Sequence, residues 1–349
     1  MINNCITNNK EKIFSFINPK DNTKLSKLSG LDLQELIILI DEYKIELRNT
    51  LNLNKNITFG LELEAEHANI NKIDKKINIY FPNKRWKTNS DGSLIKGVEI
   101  NSPILTDTKI TWLNLDKICS ILSSLATIDK NSGGHIHVGS QIIGNNKEAW
   151  LNFIKTWSIY ENIIFRFVYG EYFTYRPSLV RYASPVYKDF KGKYEKLKNT
   201  NFNLSEFIHD LSFERYQAIN FDNVSLDQTE KIKFMNTIEF RCPNGTLNPA
   251  IWQNNVNFFT KFLLYCTSSN FNNELIEQRY QINNNNFYKF DWRQWYNEIN
   301  LEQSLELCDM MFSNNLDKIN FLKQYLKEIK ATNKDKKYPK SLVLTKKQK

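Results

Sequence analysis

Between Ile57 and Ala68 the chain reads I-T-F-G-L-E-L-E-A-E-H-A, and its alternation is strict. Glu62, Glu64 and Glu66 fall on one face of an extended strand, while Phe59, Leu61, Leu63 and Ala65 fall on the other. Same-face neighbours on a strand lie roughly 6–7 Å apart. Each carboxylate pair then repels by about 0.6 kcal/mol in bulk water and by about 2.5 kcal/mol at an effective dielectric of about 20. Open water tolerates such a column, whereas a half-closed cleft requires a cation beside it. The column therefore reads as half of a divalent-metal site, and the other half must come from elsewhere in the chain.

Three further segments carry the same design, apolar on one face and ionisable on the other. In Trp86 to Pro103, Val98 and Ile100 alternate with Gly97, Glu99 and Asn101 beyond an Asp91-Gly92 turn. In Ser132 to Gln141, Ile136 and Val138 point one way and His135 and His137 the other. In Thr237 to Cys242, Ile238, Phe240 and Cys242 oppose Thr237, Glu239 and Arg241. Collected, the polar faces hold Glu62, Glu64, Glu66, Glu99, His135, His137, Glu239 and Arg241. Any one of these is ordinary: alternating glutamates are commonly solvated, and Glu239 with Arg241 makes a surface ion pair. Their conjunction on strands whose other face is core points to a shared site. Carboxylates with one or two imidazoles suit Mg²⁺ or Mn²⁺ rather than a structural zinc.

A one-sided sheet with helices behind it and a charged concave front uses this pattern most simply, which makes the fold class α+β. Ser29-Gly30-Leu31-Asp32 caps a helix expected to run to about Thr50. Lys72 to Phe81, with Ile73, Ile77, Ile79 and Phe81, is expected to be a hairpin partner of the glutamate strand. Helices are expected over 114–130, 147–169 and, opened by Asn248-Pro249, 250–267, with two or three more between Asp291 and Lys330. Glu214 to Phe221 is strand-like. Residues 170–203 show no clear periodicity and form a candidate substrate loop, in which Arg176, Arg181 and Tyr182 are candidate carboxylate binders. The expected organisation is an irregular extension (1–30), one catalytic domain (31–330) and a basic tail (331–349).

Composition bounds the function classes. With 349 residues, 41% of them hydrophobic, the chain can bury one large core or two modest ones. No apolar run approaches the ~18–20 residues of a membrane span. The first residues have no apolar stretch of the secretory kind, and five scattered cysteines lack metal spacing, so a cytoplasmic location is expected. Much of the excess behind the +9 net charge sits in 188–198 and 330–349. A solvated terminus accounts for the tail, nucleic acid is not favoured as a partner, and surplus positive charge also serves an anionic cosubstrate such as ATP. There is no G-x-x-x-x-G-K-[ST] and no G-x-G-x-x-G, so neither a P-loop nor a Rossmann nucleotide site is expected.

Taken in order, FGLELE (59–64), DGSL (91–94), GVEINSPIL (97–105), SGGHIHVG (132–139), RYQAIN (215–220) and TIEFRCPNGTLN (237–248) resemble the amidoligase family. These are ATP-dependent carboxylate–amine ligases of the glutamine synthetase and glutamate–cysteine ligase fold. The resemblance implies a curved antiparallel sheet forming an active-site funnel, with ATP at one mouth and Mg²⁺, or Mn²⁺ in its place, bridging the phosphates. It implies that Glu62, His135 and Glu239 hold the metal nearer the transferred phosphoryl group, and that Glu64 and Glu99 hold the metal nearer the acyl and amine site. It gives His135 the ligand role ahead of His137, sets Arg241 against the γ-phosphate, and places Arg215 on the opposite side of the same charge.

The chemistry agrees with that implication. Making an amide from a carboxylate requires activation, which an acyl phosphate formed from ATP supplies, and phosphoryl transfer asks mainly for charge neutralisation and positioning. The attacking amine must lose a proton, for which Asp91 and Glu66 are the candidate bases. The partners are then a small-molecule or peptide carboxylate and an amine donor, with no membrane. Two alternatives share the residues: a phosphotransferase acting on a carboxylate or guanidine on the same scaffold, and a non-catalytic nucleic-acid-binding protein using the basic tail. The substrates' identity and the oligomeric state are not legible in the sequence.

Overall fold

The computed structural model describes residues 20–83, 85–129, 131–169, 179–211, 216–225, 236–286, 295 and 299–326. Its strands are β1 Phe59–Ala65, β2 Lys87–Asp91, β3 Gly97–Asn101, β4 Gly134–Gly139, β5 Ile219–Asn220 and β6 Thr237–Phe240. Its main helices are α1 Gly30–Glu42, α2 Ile70–Tyr80, α3 Lys109–Ser123, α4 Lys147–Val168, α5 Tyr187–Leu197, α6 Leu204–Leu211, α7 Pro249–Cys266, α8 Asn273–Asn286, α9 Leu301–Met311 and α10 Asn315–Leu326. The chain divides into two compact units, a larger one of residues 47–161 and 175–289 and a smaller one of 1–46, 162–174 and 290–349.

All six strands lie in the larger unit and form one antiparallel sheet in the order β2-β3-β1-β4-β6-β5. The sheet is curved and does not close. The alternation read from the sequence sets which residues face which way. Phe59, Leu61, Leu63, Ile100, Ile136, Val138, Ile238 and Phe240 are all buried on the apolar side.

Helices cover that side through aromatic contacts. Trp112 of α3 stacks on Phe59 at 5.3 Å, and Phe240 is sandwiched between Phe259 of α7 at 4.1 Å and Trp157 of α4 at 5.7 Å. Each fully buried ring of this kind contributes about 1.5–3 kcal/mol, so the aromatic layer holds these helices firmly against the sheet. Helix α7 starts as its sequence dictates, with Pro249 in the first turn and the Asn248 side chain accepting from the Ala250 N–H at 2.9 Å. Gly134 lets α7 approach β4, since a Cβ there would come within 2.4 Å of the Trp252 indole.

In the smaller unit, Asp309 of α9 accepts from the backbone N–H groups of Leu25 and Ser26 and pairs with buried Lys318 of α10 at 2.7 Å. Phe321 of α10 stacks on Phe167 at 4.6 Å, and Tyr43 beyond α1 donates to Asn320 at 2.9 Å.

Four expectations need correction. Lys72 to Phe81 is helix α2 and not a strand. Ile73 and Ile77 lie one turn apart and are both buried, Ile79 is 64% exposed, and the Asn69 side chain caps the first turn; the 3.6-residue period prevails over the alternation of 77, 79 and 81. Helix α1 ends at Glu42 rather than near Thr50. The Gln253 amide takes both backbone groups of Arg48, at 2.8 Å each, and Asp107 takes the Leu51 N–H, which holds that stretch extended. Within the segment read as aperiodic, one turn at Leu179–Tyr182 and helix α5 form. The strand around Glu214 to Phe221 is two residues long, Ile219–Asn220, with 212–215 outside the described residues. The basic tail (331–349) and most of the N-terminal extension are also outside them. No helix among the described residues is long and apolar enough to cross a membrane. Cys119, Cys242, Cys266 and Cys308 are thiols and all are buried.

Candidate metal and phosphate site

The polar face of the sheet gathers the ionisable residues by register. On β1, Glu64 stands opposite Glu99 of β3, and Glu62 lies between Asn101 of β3 and His135 of β4. On β6, Glu239 stands between His137 of β4 and Asn220 of β5. Side chains from five strands therefore meet on one surface, and Asp91 at the end of β2 adds a sixth.

They resolve into two groups. In the first, ligand atoms of Glu62, His137 and Glu239 lie within 4.8 Å of one another; in the second, those of Glu64, Asp91 and Glu99 do. Two oxygens coordinating one Mg²⁺ at 2.0–2.1 Å sit at most roughly 4.2 Å apart. Each group gathers its ligand atoms near that separation, and oxygen with at most a single imidazole is the donor set of a hard cation.

His135 lies between the groups. Its Nδ1 is 2.6 Å from Glu62 Oε2 and 3.4 Å from Glu239 Oε1, and its Nε2 is 3.4 Å from Glu64 Oε1. His137 Nε2 meets the other Glu62 oxygen at 3.0 Å, and its Nδ1 lies 3.3 Å from Thr237 Oγ1. The carboxylates are held from behind. The Gly133 N–H donates to Glu64 Oε2, Asn220 Nδ2 donates to Glu239 Oε2 at 2.8 Å, and Arg241 pairs with Glu239 Oε1 through one guanidinium nitrogen. Arg241 also donates from Nε to the Tyr182 carbonyl at 3.4 Å.

The electrostatics follow from five carboxylates sharing this face with one guanidinium among the described residues. Burial alone would raise the Glu62 carboxyl, but hydrogen bonds from His135 and His137 and the charge on those rings hold it far below the usual range. At Glu99, burial first and then the Glu62 charge push the carboxyl up, and the Asn101 hydrogen bond and the His135 charge only partly oppose them. Burial works to lower His137, and the Glu62 hydrogen bond with the charges of Glu239 and Glu62 raises it on balance. Glu99 and His137 shift upward as an anionic pocket dictates, whereas Glu62 shifts downward because the two imidazoles lend it hydrogen bonds and positive charge.

The sequence-derived set Glu62, Glu64, Glu99, His135 and Glu239 thus lies on one surface together with Arg241 and Asp91. Arg215 and Arg176 are outside the described residues. Glu66 is fully buried at the end of β1 and belongs to neither group. Arg181 lies over the Tyr182 ring at 5.2 Å. Sequence reasoning overlooked two supports, Asn220 and the Gly133 N–H. The first could have been found in R-Y-Q-A-I-N, where Asn220 is the polar residue that closes the alternation. The second, a backbone donor, leaves no mark in residue type.

A family model described as "Putative amidoligase enzyme" matches residues 81–263, just over half of the chain. No curated protein matches it.

Proposed function

The chain belongs to the amidoligase family, and from that premise we propose that it is an ATP- and Mg²⁺-dependent ligase joining a carboxylate to an amine through an acyl phosphate. The observation that carries this reading is the pair of ligand groups side by side on one sheet face, with Arg241 against the first.

This reading departs from the resemblance, which gives His135 the ligand role and leaves Asp91 as a base: Glu62, His137 and Glu239 would hold one divalent cation and Glu64, Asp91 and Glu99 a second, with His135 packed between them. The cations would neutralise phosphate charge and polarise the transferred group. Arg241, held in place by Glu239 and the Tyr182 carbonyl, presents a planar, permanent positive charge beside the first group, where a phosphoryl oxygen is best received. Asn220 and the Gly133 N–H fix the orientation of Glu239 and Glu64 before any substrate arrives, which removes reorganisation from the reaction.

The substrate carboxylate attacks the γ-phosphorus and ADP leaves; the arriving ammonium loses one proton to become nucleophilic, its nitrogen attacks the acyl carbon, phosphate leaves, and the nitrogen gives up a second proton, both protons passing to the released phosphate and solvent. The all-carboxylate group at the β2–β3 end is the more negative of the two, so it marks the end where a protonated amine would be drawn.

Purified protein with Mg²⁺, ATP and a panel of acids and amines should release phosphate only when an acid and an amine are both present. Glu62→Ala and Glu239→Ala should abolish that release without lowering the melting temperature into the assay range. Full activity in either variant would overturn the proposal. A stable phosphorylated product with no amide would replace it with a phosphotransferase.

A further inference from the structure

Glu66 completes the β1 column but lies apart from both ligand groups, and it is fully buried. Its Oε1 accepts from the Ile95 N–H at 2.9 Å and from Asn131 Nδ2 at 3.1 Å. Ile95 lies in the turn that joins β2 to β3, and those strands carry Asp91 and Glu99. Asn131 lies two residues before Gly133, whose N–H holds Glu64. One carboxylate oxygen therefore ties together the end of β1, the hairpin turn and the loop entering β4.

The backbone closes the same corner. Glu66 and Thr127 exchange both N–H···O bonds at 2.8 Å, His67 donates to the Ile95 carbonyl at 3.1 Å, and Ala68 donates to the Lys96 carbonyl at 3.0 Å. His67 and Lys96 adopt φ values of 53° and 48°, a left-handed conformation that non-glycine residues hold only where their surroundings enforce it. The corner is thus over-determined at the point where the hairpin bearing two of the three ligands of the second group meets the strand bearing the third.

We propose that Glu66 is a positioning residue that fixes the spacing of Glu64, Asp91 and Glu99 and so sets the affinity of that group for its divalent cation. This rests on the cation-binding reading above. The role is one of geometry, exercised through Oε1; Oε2 has no hydrogen-bond partner among the described residues. Glutamine keeps the acceptor at Oε1 while removing the charge and putting an amide nitrogen in place of Oε2. A proton-transferring or charge-bearing role would fail in Glu66→Gln, and a positioning role would not.

The test uses the full chain with Glu66→Ala, Glu66→Gln and Glu66→Asp, the last shortening the reach by one methylene should the alanine variant not fold. Two quantities are read: hydrogen exchange at the Ile95 amide, and Mn²⁺ affinity at each equivalent. Glu66→Ala, or Glu66→Asp in its place, should speed Ile95 exchange by about tenfold or more while amides of β4 and β6 keep their rates. It should also weaken the Mn²⁺ equivalent assigned to Glu64, Asp91 and Glu99 by about tenfold or more, leaving the other unchanged. Glu66→Gln should stay close to wild type in both. Unaltered exchange and unaltered Mn²⁺ affinity on loss of the side chain would overturn the proposal. So would a glutamine variant that loses turnover while both measured quantities stay normal. Should the wild type bind no Mn²⁺, the cation reading fails, and the exchange measurement still decides whether Glu66 holds the turn.

Discussion

Replacing Glu161 with glutamine should remove a pH dependence of stability that the wild type carries. The Glu161 side chain, in α4, is completely buried. It accepts from Trp157 Nε1 and from the Val186 and Tyr187 backbone N–H groups, each at 2.8 Å. Val186 and Tyr187 begin α5, so the carboxylate caps a helix N-terminus, and three donors with the helix dipole favour its charge. Burial is the larger effect and pushes the carboxyl from 4.5 up to about 8. The folded value lies above the unfolded one, so the folded chain keeps a proton that the unfolded chain releases. The associated stability is fully present below about pH 4.5 and is lost as pH rises through about 8. At 1.36 kcal/mol per unit, the whole shift corresponds to on the order of 5 kcal/mol, of which about 3 kcal/mol falls between about pH 5.5 and about pH 8.5. Urea unfolding of wild type and Glu161→Gln at those two conditions isolates the term, because every other titrating group is common to both proteins. The wild type should lose about 3 kcal/mol more than the variant across the interval. Parallel profiles would refute the reasoning and show that the three donors outweigh burial. The consequence reaches the site, since Arg241 donates to the carbonyl of Tyr182 and Ser184 pairs with Gln217 just before this corner.

Three substitutions probe the scaffold and the charge it carries. Gly134→Ala would drive a methyl group into the buried Trp252 indole, costing about 1–3 kcal/mol in a melting experiment; an unchanged melting temperature would show that α7 can retreat. Asp107→Ala would strip acceptors from the Leu51 and Leu53 N–H groups and from Trp112 Nε1, costing about 2–4 kcal/mol; denaturant titration reads it, and a loss below the error of the method would contradict it. Arg241→Lys keeps the charge but loses the planar fork that meets Glu239 and Tyr182, so phosphate release should fall by about 10²-fold or more with little change in melting temperature.

Which parts of this arrangement the sequence discloses depends on how local the governing physics is. β1, β3, β4 and β6 are legible because a strand with one buried face must alternate, and Leu61, Ile100, Ile136 and Phe240 mark that face without ambiguity. The capped start of α7 is equally local. The stretch 72–81 misleads because Ile73, Ile77, Ile79 and Phe81 satisfy part of both periods, and only the burial of Ile73 with Ile77 decides between them. The extended stretch at Arg48 to Leu51 depends on Gln253 and Asp107, far away in sequence. The same contrast holds in the site. Alternation places both histidines on one face but cannot say which nitrogen approaches which carboxylate; that depends on β4 sitting between β1 and β6. The grouping of Asp91 with Glu64 and Glu99 likewise requires β3 to pair with β1, and β2 with β3, in a particular register.

Mn²⁺ binding, counted by electron paramagnetic resonance on the full chain, tests the central claim most directly. Two equivalents should bind, one lost in Glu239→Gln and the other in Glu99→Gln, in keeping with the two ligand groups. A wild-type chain that binds no Mn²⁺, or one that keeps both equivalents after both substitutions, would contradict it.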